Sequence, residues 1–188
     1  MAEGGSPPSP TIALTGATDD ALIISVVPTT YGITRHEILR KTLSLTKLAI
    51  TGGVADPVRY SGYGPPNCYD GSLSTYCCTD SGALGNSLTF HFAAAFLNHV
   101  KITKRSTTSS HIKLTNFDMQ YEDENGAWSD CPGTPYSFPV SEGAGPLTFS
   151  CVTPVKAVKI KIVQRANQNP LLAEIELYGY KGELYSMG

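Results

Sequence analysis

The sequence predicts an all-β fold, a single β-sandwich domain preceded by an N-terminal extension. Glycine and proline are plentiful, 18 and 13 of 188 residues, and long helical periods are missing, which favours short strands joined by turns. Apolar and polar residues alternate in several stretches, most clearly where Ile160 and Ile162 alternate with lysines. This period of two is typical of a strand with one buried face. The chain length suits one core plus an extension.

The extension is assigned to residues 1–48. Residues 1–10 are small, polar and proline-rich, which predicts a disordered or extended arm. Residues 11–27 predict one or two short strands, and the β-branched run 21–27 is expected to be buried on both faces. Residues 33–48 fit either a short helix or a strand with alternating leucines, so we expect a helix or turn followed by a strand.

The sandwich is assigned to residues 49–180, and residues 181–188 form a tail. The stretch 49–78 is rich in glycine, proline and tyrosine, and we expect it to be irregular but ordered, because tyrosines are rare in disordered linkers. Asn125 and Gly126 predict a type I′ turn between two strands. The predicted strands lie at 88–92, 100–103, 112–120, from 128 onwards, 147–152, 155–163 and 171–178, with a long loop at 130–145.

Charge and hydropathy disfavour several classes of partner. A net charge of -2 gives no reason to expect nucleic acid or an anionic membrane surface, since both normally demand a basic protein surface. The sequence has no run of about 18 apolar residues, which a membrane span requires. The first ten residues lack the basic segment and apolar core of a signal peptide. We therefore expect either that the protein is made without classical secretion or that its signal was removed.

The sequence also predicts a non-enzymatic protein. None of the four histidines stands in an elbow or other catalytic frame with a serine or cysteine. The acidic cluster at 122–124 is more typical of a solvated turn than of paired carboxylates for glycoside cleavage. No phosphate-cradling glycine loop is present. Zinc is disfavoured because the cysteines lack CxxC repeats and histidines at ligand spacing.

A cationic, hydroxyl-rich loop at 104–111 separates two predicted strands and is the candidate ligand site. All-β binding modules usually keep their ligand contacts in loops that rigid strands hold in place. The candidate ligand-binding residues are Lys104, Arg105, Thr107 and His111. The alternative interpretation is an ordinary solvated loop.

Four pieces of the sequence occur in an order and spacing that suggest one family. They are the CYDGS turn at 68–72, the strands 88–92 and 100–105, the loop from Cys131 to Cys151 with the VKAVKIKIV that follows it, and LAEIELYG at 172–179. Together they resemble the coagulation-factor type C or discoidin family, and within it the F-type, fucose-binding lectins. The resemblance covers residues 49–180 and implies an eight-stranded jelly-roll sandwich with its ligand loops at one end.

The resemblance also implies a structural calcium ion. In the fucose-binding branch the ion is held by an aspartate, by backbone carbonyls and by a glutamate of the last strand. The matching residues here are Asp70 and Glu174, with Ser72 in the place of an asparagine. Hard oxygen ligands of this kind are what calcium needs. The alternative is that Asp70 caps a turn and that Glu174 lies on a solvated strand.

The fucose site of the family transfers only in part. That site uses a histidine, an arginine, an aspartate two residues later and a second basic residue. Arg105 matches the arginine, but Thr107 stands in the place of the aspartate, and Lys113 is one position late for the second basic residue. An arginine without its carboxylate can still donate a fork of hydrogen bonds to a hydroxylated or anionic ligand. Fucose specificity is therefore not expected.

The five cysteines predict two disulfides if the compartment is oxidising. Cys131 and Cys151 bracket a loop rich in proline and glycine, and a bridge there would stabilise the fold by roughly 3 kcal/mol on the chain-entropy model. Cys68 is expected to pair with Cys77, or with the adjacent Cys78, which leaves the other outside the bridge. Disulfides and the family resemblance favour an extracellular, cell-surface or virion-associated location.

Two classes of function follow from these observations. The first is a lectin-like or adhesion module whose loop end binds a glycan or glycoprotein. The second is a structural subunit of a capsid, filament or surface assembly, in which the N-terminal arm contacts a neighbouring copy or another structural protein. An arm that adds a strand to a neighbouring sheet satisfies its backbone hydrogen bonds and joins the subunits.

Overall fold

The computed structural model describes residues 11–18, 21–27, 44–58, 62–80, 84–105, 114, 116–138, 145–165 and 170–181, with side chains described from residue 44 onwards except at Val152. Two compact units divide the chain, Met1–Leu45 and Thr46–Gly188. The strands are β1 (Thr11–Thr18), β2 (Ala21–Val27), β3 (Leu45–Leu48), β4 (Ile50–Asp56), β5 (Cys77–Cys78), β6 (Ser87–Lys104), β7 (Asn116–Glu122), β8 (Trp128–Asp130), β9 (Tyr136–Ser137), β10 (Leu147–Gln164) and β11 (Leu171–Tyr180), and a 3-10 helix covers Pro65–Cys68. Among the described residues, no helix has the length and apolarity needed to cross a membrane.

The first unit contains an antiparallel hairpin of β1 and β2. Thr11 pairs with Val27 at the open end, and Thr18 pairs with Ala21 at the turn. The prediction of one or two strands is thus confirmed as two, and the strand expected towards residue 48 is confirmed as β3. The predicted arm, the burial of the second strand and the helix or turn before β3 lie outside the described residues and side chains.

The second unit is an antiparallel β-sandwich, which confirms the predicted fold class. Its strand order is β3-β11-β6-β10-β7-β8, with β4 paired to β6, β5 to β11 and β9 to β7. One edge of β6 pairs with β10, and the other edge pairs with β4 along 87–92 and with β11 along 96–104. The two halves of this 18-residue strand therefore belong to different layers of the sandwich.

Two pairs of predicted strands are in fact continuous, which corrects the sequence analysis. The strands expected at 88–92 and from residue 100 are the two halves of β6, and those expected at 147–152 and 155–163 are the two halves of β10. The pairing of β10 with β6 shifts register between Ser150 and Val155. Pro154 lies in that interval and lacks the N–H needed for the ladder, which explains why the sequence suggested an interruption.

A further strand, β4, occupies part of the stretch that was expected to be irregular. Its residues pair with β6 from Ile50 opposite Phe92 to Asp56 opposite Ser87. Two consecutive glycines obscured it in the sequence, since glycine is uncommon inside strands. Gly53 is required by close packing, because a Cβ atom there would lie 2.7 Å from Pro65 Cβ and 2.8 Å from the Thr89 carbonyl oxygen.

The turn between β7 and β8 differs by one residue from the predicted type I′ turn. Gly126 N donates to the Asp123 carbonyl oxygen at 3.1 Å, so Gly126 is the fourth residue of the turn rather than its third. Gly126 has a φ of +84°, a value that glycine adopts without strain. The hairpin is thereby closed by a five-residue connection, 123–127.

The core follows the alternation seen in the sequence. Leu88 and Phe90 of β6 and Ile160 and Ile162 of β10 are fully buried. Lys159 and Lys161, which alternate with the two isoleucines, are half-buried. Complete burial of side chains of this size contributes about 1.5–3 kcal/mol each. The predicted wet face of this strand is therefore confirmed.

The two ends of β6 are anchored to the end of β10 and the start of β11, and we call this end of the sandwich the loop end. Arg105 N donates to the Leu171 carbonyl oxygen at 3.4 Å, and Gly85 N donates to the Gln164 carbonyl oxygen at 3.0 Å. Only residues 165–170 separate the two acceptors, so they lie within roughly 25 Å of each other even if the chain is fully extended. The described residues next to the two ends of β6 are thus anchored to the two ends of one short connection, the one between β10 and β11.

Candidate functional site

A compact turn at the loop end carries Asp70. Asp70 Oδ1 accepts a hydrogen bond from Ser72 N at 2.8 Å, and Thr75 Oγ1 lies 2.7 Å from Asp70 Oδ2. Gly71 between them has a φ of +79°, which a residue with a side chain rarely adopts. The turn is closed by the disulfide between Cys68 and Cys77.

Glu174 of β11 reaches the same turn. Its Oε2 accepts a hydrogen bond from Gly71 N at 3.3 Å. Burial raises the pKa of the Glu174 carboxyl, and the nearby Asp70 charge raises it further, while the Gly71 N–H and Lys47 act in the opposite direction. The two carboxylates expected to hold calcium are therefore brought together, although 104 positions separate them in the sequence.

Four oxygen acceptors surround a single hydroxyl donor in this turn. Thr75 Oγ1 lies within 3.4 Å of both Asp70 carboxylate oxygens and of the carbonyl oxygens of Asn67 and Ser72. One hydroxyl proton satisfies only one of these acceptors well. The Ser72 hydroxyl is paired with Ser74 Oγ at 2.8 Å. The two carboxylates and the backbone carbonyls of this turn are oxygen ligands of the kind that a hard cation prefers.

Side chains alone do not complete a metal site here. Among the described residues, no group of three or more histidine, cysteine, aspartate or glutamate side chains is arranged to hold a metal ion. A calcium ion at this turn would therefore take most of its ligands from backbone carbonyls and water, as calcium readily does.

A second cluster at the loop end is built on Arg105. Its guanidinium carbon lies 3.8 Å from the centre of the Tyr76 ring, and the Tyr76 ring lies 4.8 Å from that of Tyr63. A hydrogen bond with Tyr63 and then burial raise the pKa of Tyr76, whereas the Arg105 charge lowers it. All three side chains are half-buried, so each keeps a surface in contact with solvent.

The other predicted ligand-binding residues are placed differently. Lys104 was expected in the exposed loop, but it is the last residue of β6, pairs with Leu172 and is only 9% exposed. Its ammonium lies 4.8 Å from the centre of the Phe138 ring, because strand pairing turns it away from solvent. Thr107 and His111 lie outside the described residues, and their roles stay predictions.

Both predicted disulfides are confirmed. Cys68 is bonded to Cys77 with a Cα–Cα distance of 5.4 Å, and Cys131 to Cys151 with 5.3 Å. Cys78 is buried and belongs to neither bridge. The first bridge ties the 3-10 helix to β5, so it restrains the segment that carries both Asp70 and Tyr76.

Sequence reasoning missed the two tyrosines of the Arg105 cluster. The tyrosine-rich character of residues 49–78 was recognised, but it was used only to predict order. Cys78 pairs with Leu171, and Arg105 N bonds the Leu171 carbonyl oxygen, so β5 delivers Tyr76 beside Arg105. Aromatic side chains near a cationic loop are the signal that could have indicated this contact.

No protein-family model matches the sequence, and no curated protein matches it. Solved structures do match. A family 32 carbohydrate-binding module from C. perfringens NanJ, solved with galactose, is 20% identical with a TM-score of 0.57 and covers 71% of this chain and 99% of its own. An F5/8 type C domain from Bacteroides fragilis is 18% identical with a TM-score of 0.60 and covers 73% and 98%.

A fucose-binding module from Streptococcus pneumoniae is also similar, with 19% identity, a TM-score of 0.56 and coverage of 72% of this chain and 99% of its own. At such identities the likeness concerns the fold. The fold is a β-sandwich similar to those of the carbohydrate-binding modules and the F5/8 type C domain. More narrowly, the fold is discoidin-like, which confirms the discoidin-like fold that the sequence resemblance implied.

Proposed function

We propose that this chain is a non-enzymatic carbohydrate-binding module that binds a glycan or glycoprotein at its loop end. The observation that carries the proposal is the contact of Arg105 with Tyr76, 3.8 Å from guanidinium carbon to ring centre. This contact holds a cation against an aromatic surface at the loop end. The likeness to carbohydrate-binding modules supports the same function.

The chemistry of the cluster suits a sugar. Aromatic rings pack against the apolar C–H faces of ligands and keep a polar group at their edge, and a guanidinium donates several hydrogen bonds in a fixed fork. A few polar groups placed beside an apolar surface are typical of small-molecule sites. Thr107 and His111, which follow Arg105 in the sequence, remain candidates for further contacts.

The proposal includes a structural calcium ion held by Asp70 and Glu174 with the carbonyl oxygens of Asn67 and Ser72. Calcium would add a positive charge between the two carboxylates, beside that of Lys47, which already favours the charged form of Glu174. The chain's own residues already shape the turn, because Thr75 and Gly71 hold the two carboxylates by hydrogen bonds. The turn contacts the disulfide-bonded segment that carries Tyr76, so the ion would also stabilise the sugar site.

The alternative of a capsid, filament or surface-layer subunit receives no support from the similar structures. One of its arguments was an N-terminal arm with an apolar strand. Residues 1–10 of that arm lie outside the described residues, and its apolar strand, β2, pairs with β1. Self-association through that arm stays a prediction, and its measurement is the mass in solution of the chain with and without residues 1–27.

A glycan array on the purified protein, with and without calcium, tests the proposed function. We expect binding that Arg105→Ala and Tyr76→Ala weaken strongly, while Lys156→Ala has no effect. Lys156 is a suitable control because it is a lysine of β10 that forms a salt bridge with Glu124 on the β7–β8 turn. The absence of binding to any glycan at millimolar concentration, an affinity of only about 4 kcal/mol, would refute the proposal.

A further inference from the structure

Trp128 is a large aromatic side chain that the fold leaves exposed. It is the only tryptophan of the chain, it is 38% exposed, and it begins β8, the last strand in the order of the sheet. The ammonium of Lys161, on β10, lies 3.9 Å from the centre of the indole ring. This contact restricts both side chains, so less conformational entropy is lost when a ligand binds to them.

Strand pairing surrounds Trp128 with polar side chains from three neighbouring strands, β8, β7 and β10. Two adjacent rows cross these strands, Trp128–Glu122–Lys159 and Asp130–Gln120–Lys161. Directly opposite residues of paired strands lie on the same face of a sheet, and so do residues two apart on one strand. Ile160 and Ile162 of β10 alternate with the lysines and are buried in the core. The six side chains of the two rows, which we call the Trp128 patch, therefore share the face away from the core.

The formal charges of the Trp128 patch balance, since two lysines are matched by two carboxylates. Lys159 Nζ lies 2.5 Å from Glu122 Oε2, and Gln120 Nε2 donates to Asp130 Oδ1 at 2.9 Å. A carboxylate has room for several hydrogen bonds, and a glutamine amide both donates and accepts them. The patch thus places donors and acceptors beside an aromatic ring without a net formal charge, which complements a neutral ligand rich in hydroxyl groups.

The Trp128 patch is separate from the Arg105 cluster. β7 starts at the loop end, where Arg165 N donates to the Asn116 carbonyl oxygen at 2.9 Å, and it ends at Glu122, which lies opposite Trp128. The strand has 7 residues, and at about 3.3 Å per residue it spans roughly 20 Å. A sugar unit bound at the loop end therefore leaves Trp128 accessible to another.

We infer that the Trp128 patch is a second sugar site, which binds a neutral glycan independently of the Arg105 cluster. The inference goes beyond the proposed function, which places one site at the loop end. The indole packs against the apolar C–H face of a sugar ring, while Asp130 and Gln120 bind its hydroxyl groups. A protein partner fits less well, because the centre of a protein interface is depleted of charged residues, and four of the six side chains here are charged.

Tryptophan fluorescence tests the inference directly, because Trp128 is the chain's only tryptophan. The unmodified chain is titrated with galactotetraose, mannotetraose and cellotetraose, which are neutral and differ in the arrangement of their hydroxyl groups. We expect at least one of them to change the emission saturably at up to about 10 mM, a range that covers millimolar dissociation constants. The absence of a saturable change with all three would overturn the inference.

Variants of the patch show whether the sugar contacts it. Asp130→Ala and Gln120→Ala should each raise the dissociation constant about twofold to tenfold, the usual effect of losing one hydrogen bond. Glu124→Ala is the matched control, because it removes a carboxylate of the same hairpin that pairs with Lys156 outside the patch. An equal loss in Glu124→Ala, or an unchanged affinity in both patch variants, would overturn the inference.

Arg105→Ala separates this inference from the proposed function. We expect Arg105→Ala to keep the change in Trp128 emission, and Trp128→Ala to keep the array binding that depends on Arg105. An emission change that Arg105→Ala abolishes would show that the sugar binds at the loop end, and it would overturn the inference alone. Array binding that depends on neither Arg105 nor Tyr76, with the emission change intact, would instead overturn the loop-end site of the proposed function.

Discussion

Glu174 Oε2 accepts a hydrogen bond from Gly71 N at 3.3 Å, and this contact joins the last strand of the sandwich to the turn that carries Asp70. Burial raises the pKa of Glu174, which means that the folded protein disfavours the charged form of this carboxyl. A cation bound between Glu174 and Asp70 would favour the charged form again. The stability of the fold should therefore respond to calcium.

Calcium is expected to raise the thermal midpoint of the chain. At a concentration about 100 times the dissociation constant, binding adds about 2.7 kcal/mol, which corresponds to roughly 5–10 °C for a domain of this size. Glu174→Gln and Asp70→Asn keep the shape of the side chains and should lose most of the shift. Thermal unfolding in calcium and in chelator measures it.

The control for this experiment is Glu124→Gln, which changes a carboxyl on the exposed turn between β7 and β8 and should retain the full calcium response. Magnesium should act more weakly, because it prefers a strict octahedral shell and dehydrates reluctantly. An identical midpoint in calcium and in chelator for the unmodified chain would contradict the calcium proposal.

Removal of either disulfide should lower the stability of the fold, but only one of the two removals should also weaken ligand binding. The bridge Cys131–Cys151 has a sequence separation of 20 and Cys68–Cys77 one of 9, so the chain-entropy model gives losses of about 3.3 and 2.6 kcal/mol. Only the double variant Cys68→Ala/Cys77→Ala should also weaken the calcium response and glycan binding, since that bridge restrains the segment with Asp70 and Tyr76.

Urea unfolding measures the two losses, and an unchanged m value would show that the unfolded state is comparable. Equal effects of the two double variants on calcium response and glycan binding would contradict the special role of the Cys68–Cys77 bridge.

The sequence predicted those strands in which buried and exposed residues alternate along a short stretch of the chain. Ile160 and Ile162 could be assigned to the core because the lysines that alternate with them mark the opposite face. β4 was missed, since its glycines are explained by Pro65 and by the carbonyl of Thr89, neither of which is close in sequence. The continuity of β6 was missed because exposed alanines interrupt its apolar pattern.

The candidate site was predictable only where a resemblance supplied long-range information. Asp70 and Glu174 were paired in advance through the family pattern, and no local pattern relates two residues so far apart. Tyr76 and Arg105 were not paired, because their contact depends on β5 and Arg105 both bonding to Leu171. Lys104 was placed in the exposed loop because the end of a strand is poorly defined by sequence alone.

The glycines of β4 give a stringent test of packing. Gly53→Ala would place a Cβ atom 2.7 Å from Pro65 Cβ and 2.8 Å from the Thr89 carbonyl oxygen, so the 3-10 helix and the paired strand β6 must shift away from β4. Overpacking of this kind typically costs about 1–3 kcal/mol. Gly52→Ala is the matched control, because its Cβ would meet only His91 Nδ1 at 3.8 Å.

Chemical denaturation of the two alanine variants measures the difference between them. We expect Gly52→Ala to be close to the unmodified chain or slightly more stable, since alanine reduces the entropy of the unfolded state. A Gly53→Ala variant as stable as Gly52→Ala would show that β4 and the 3-10 helix do not pack as described.

The turn between β7 and β8 should make stability depend on pH through Asp123. Asp123 Oδ1 accepts hydrogen bonds from Ala127 N at 2.9 Å and from Asn125 N at 2.8 Å, and the bond from Ala127 is the main cause that lowers the pKa of Asp123. A carboxyl with a lowered pKa stabilises the fold above its unfolded pKa of about 3.9, and this contribution is lost as the pH falls through the folded pKa.

Asp123→Ala should therefore lower the thermal midpoint at about pH 7 and lose this deficit towards about pH 2, where the unmodified carboxyl is protonated as well. Asp123→Asn keeps an acceptor oxygen without the charge, so it should lower the thermal midpoint at neutral pH by less than Asp123→Ala does. This smaller difference from the unmodified chain should also shrink on acidification. Glu124→Ala, next to it in the same turn, controls for a general loss of negative charge. A deficit of Asp123→Ala that is the same at both pH values would mean that side-chain packing, rather than the charged hydrogen bonds, holds this turn together.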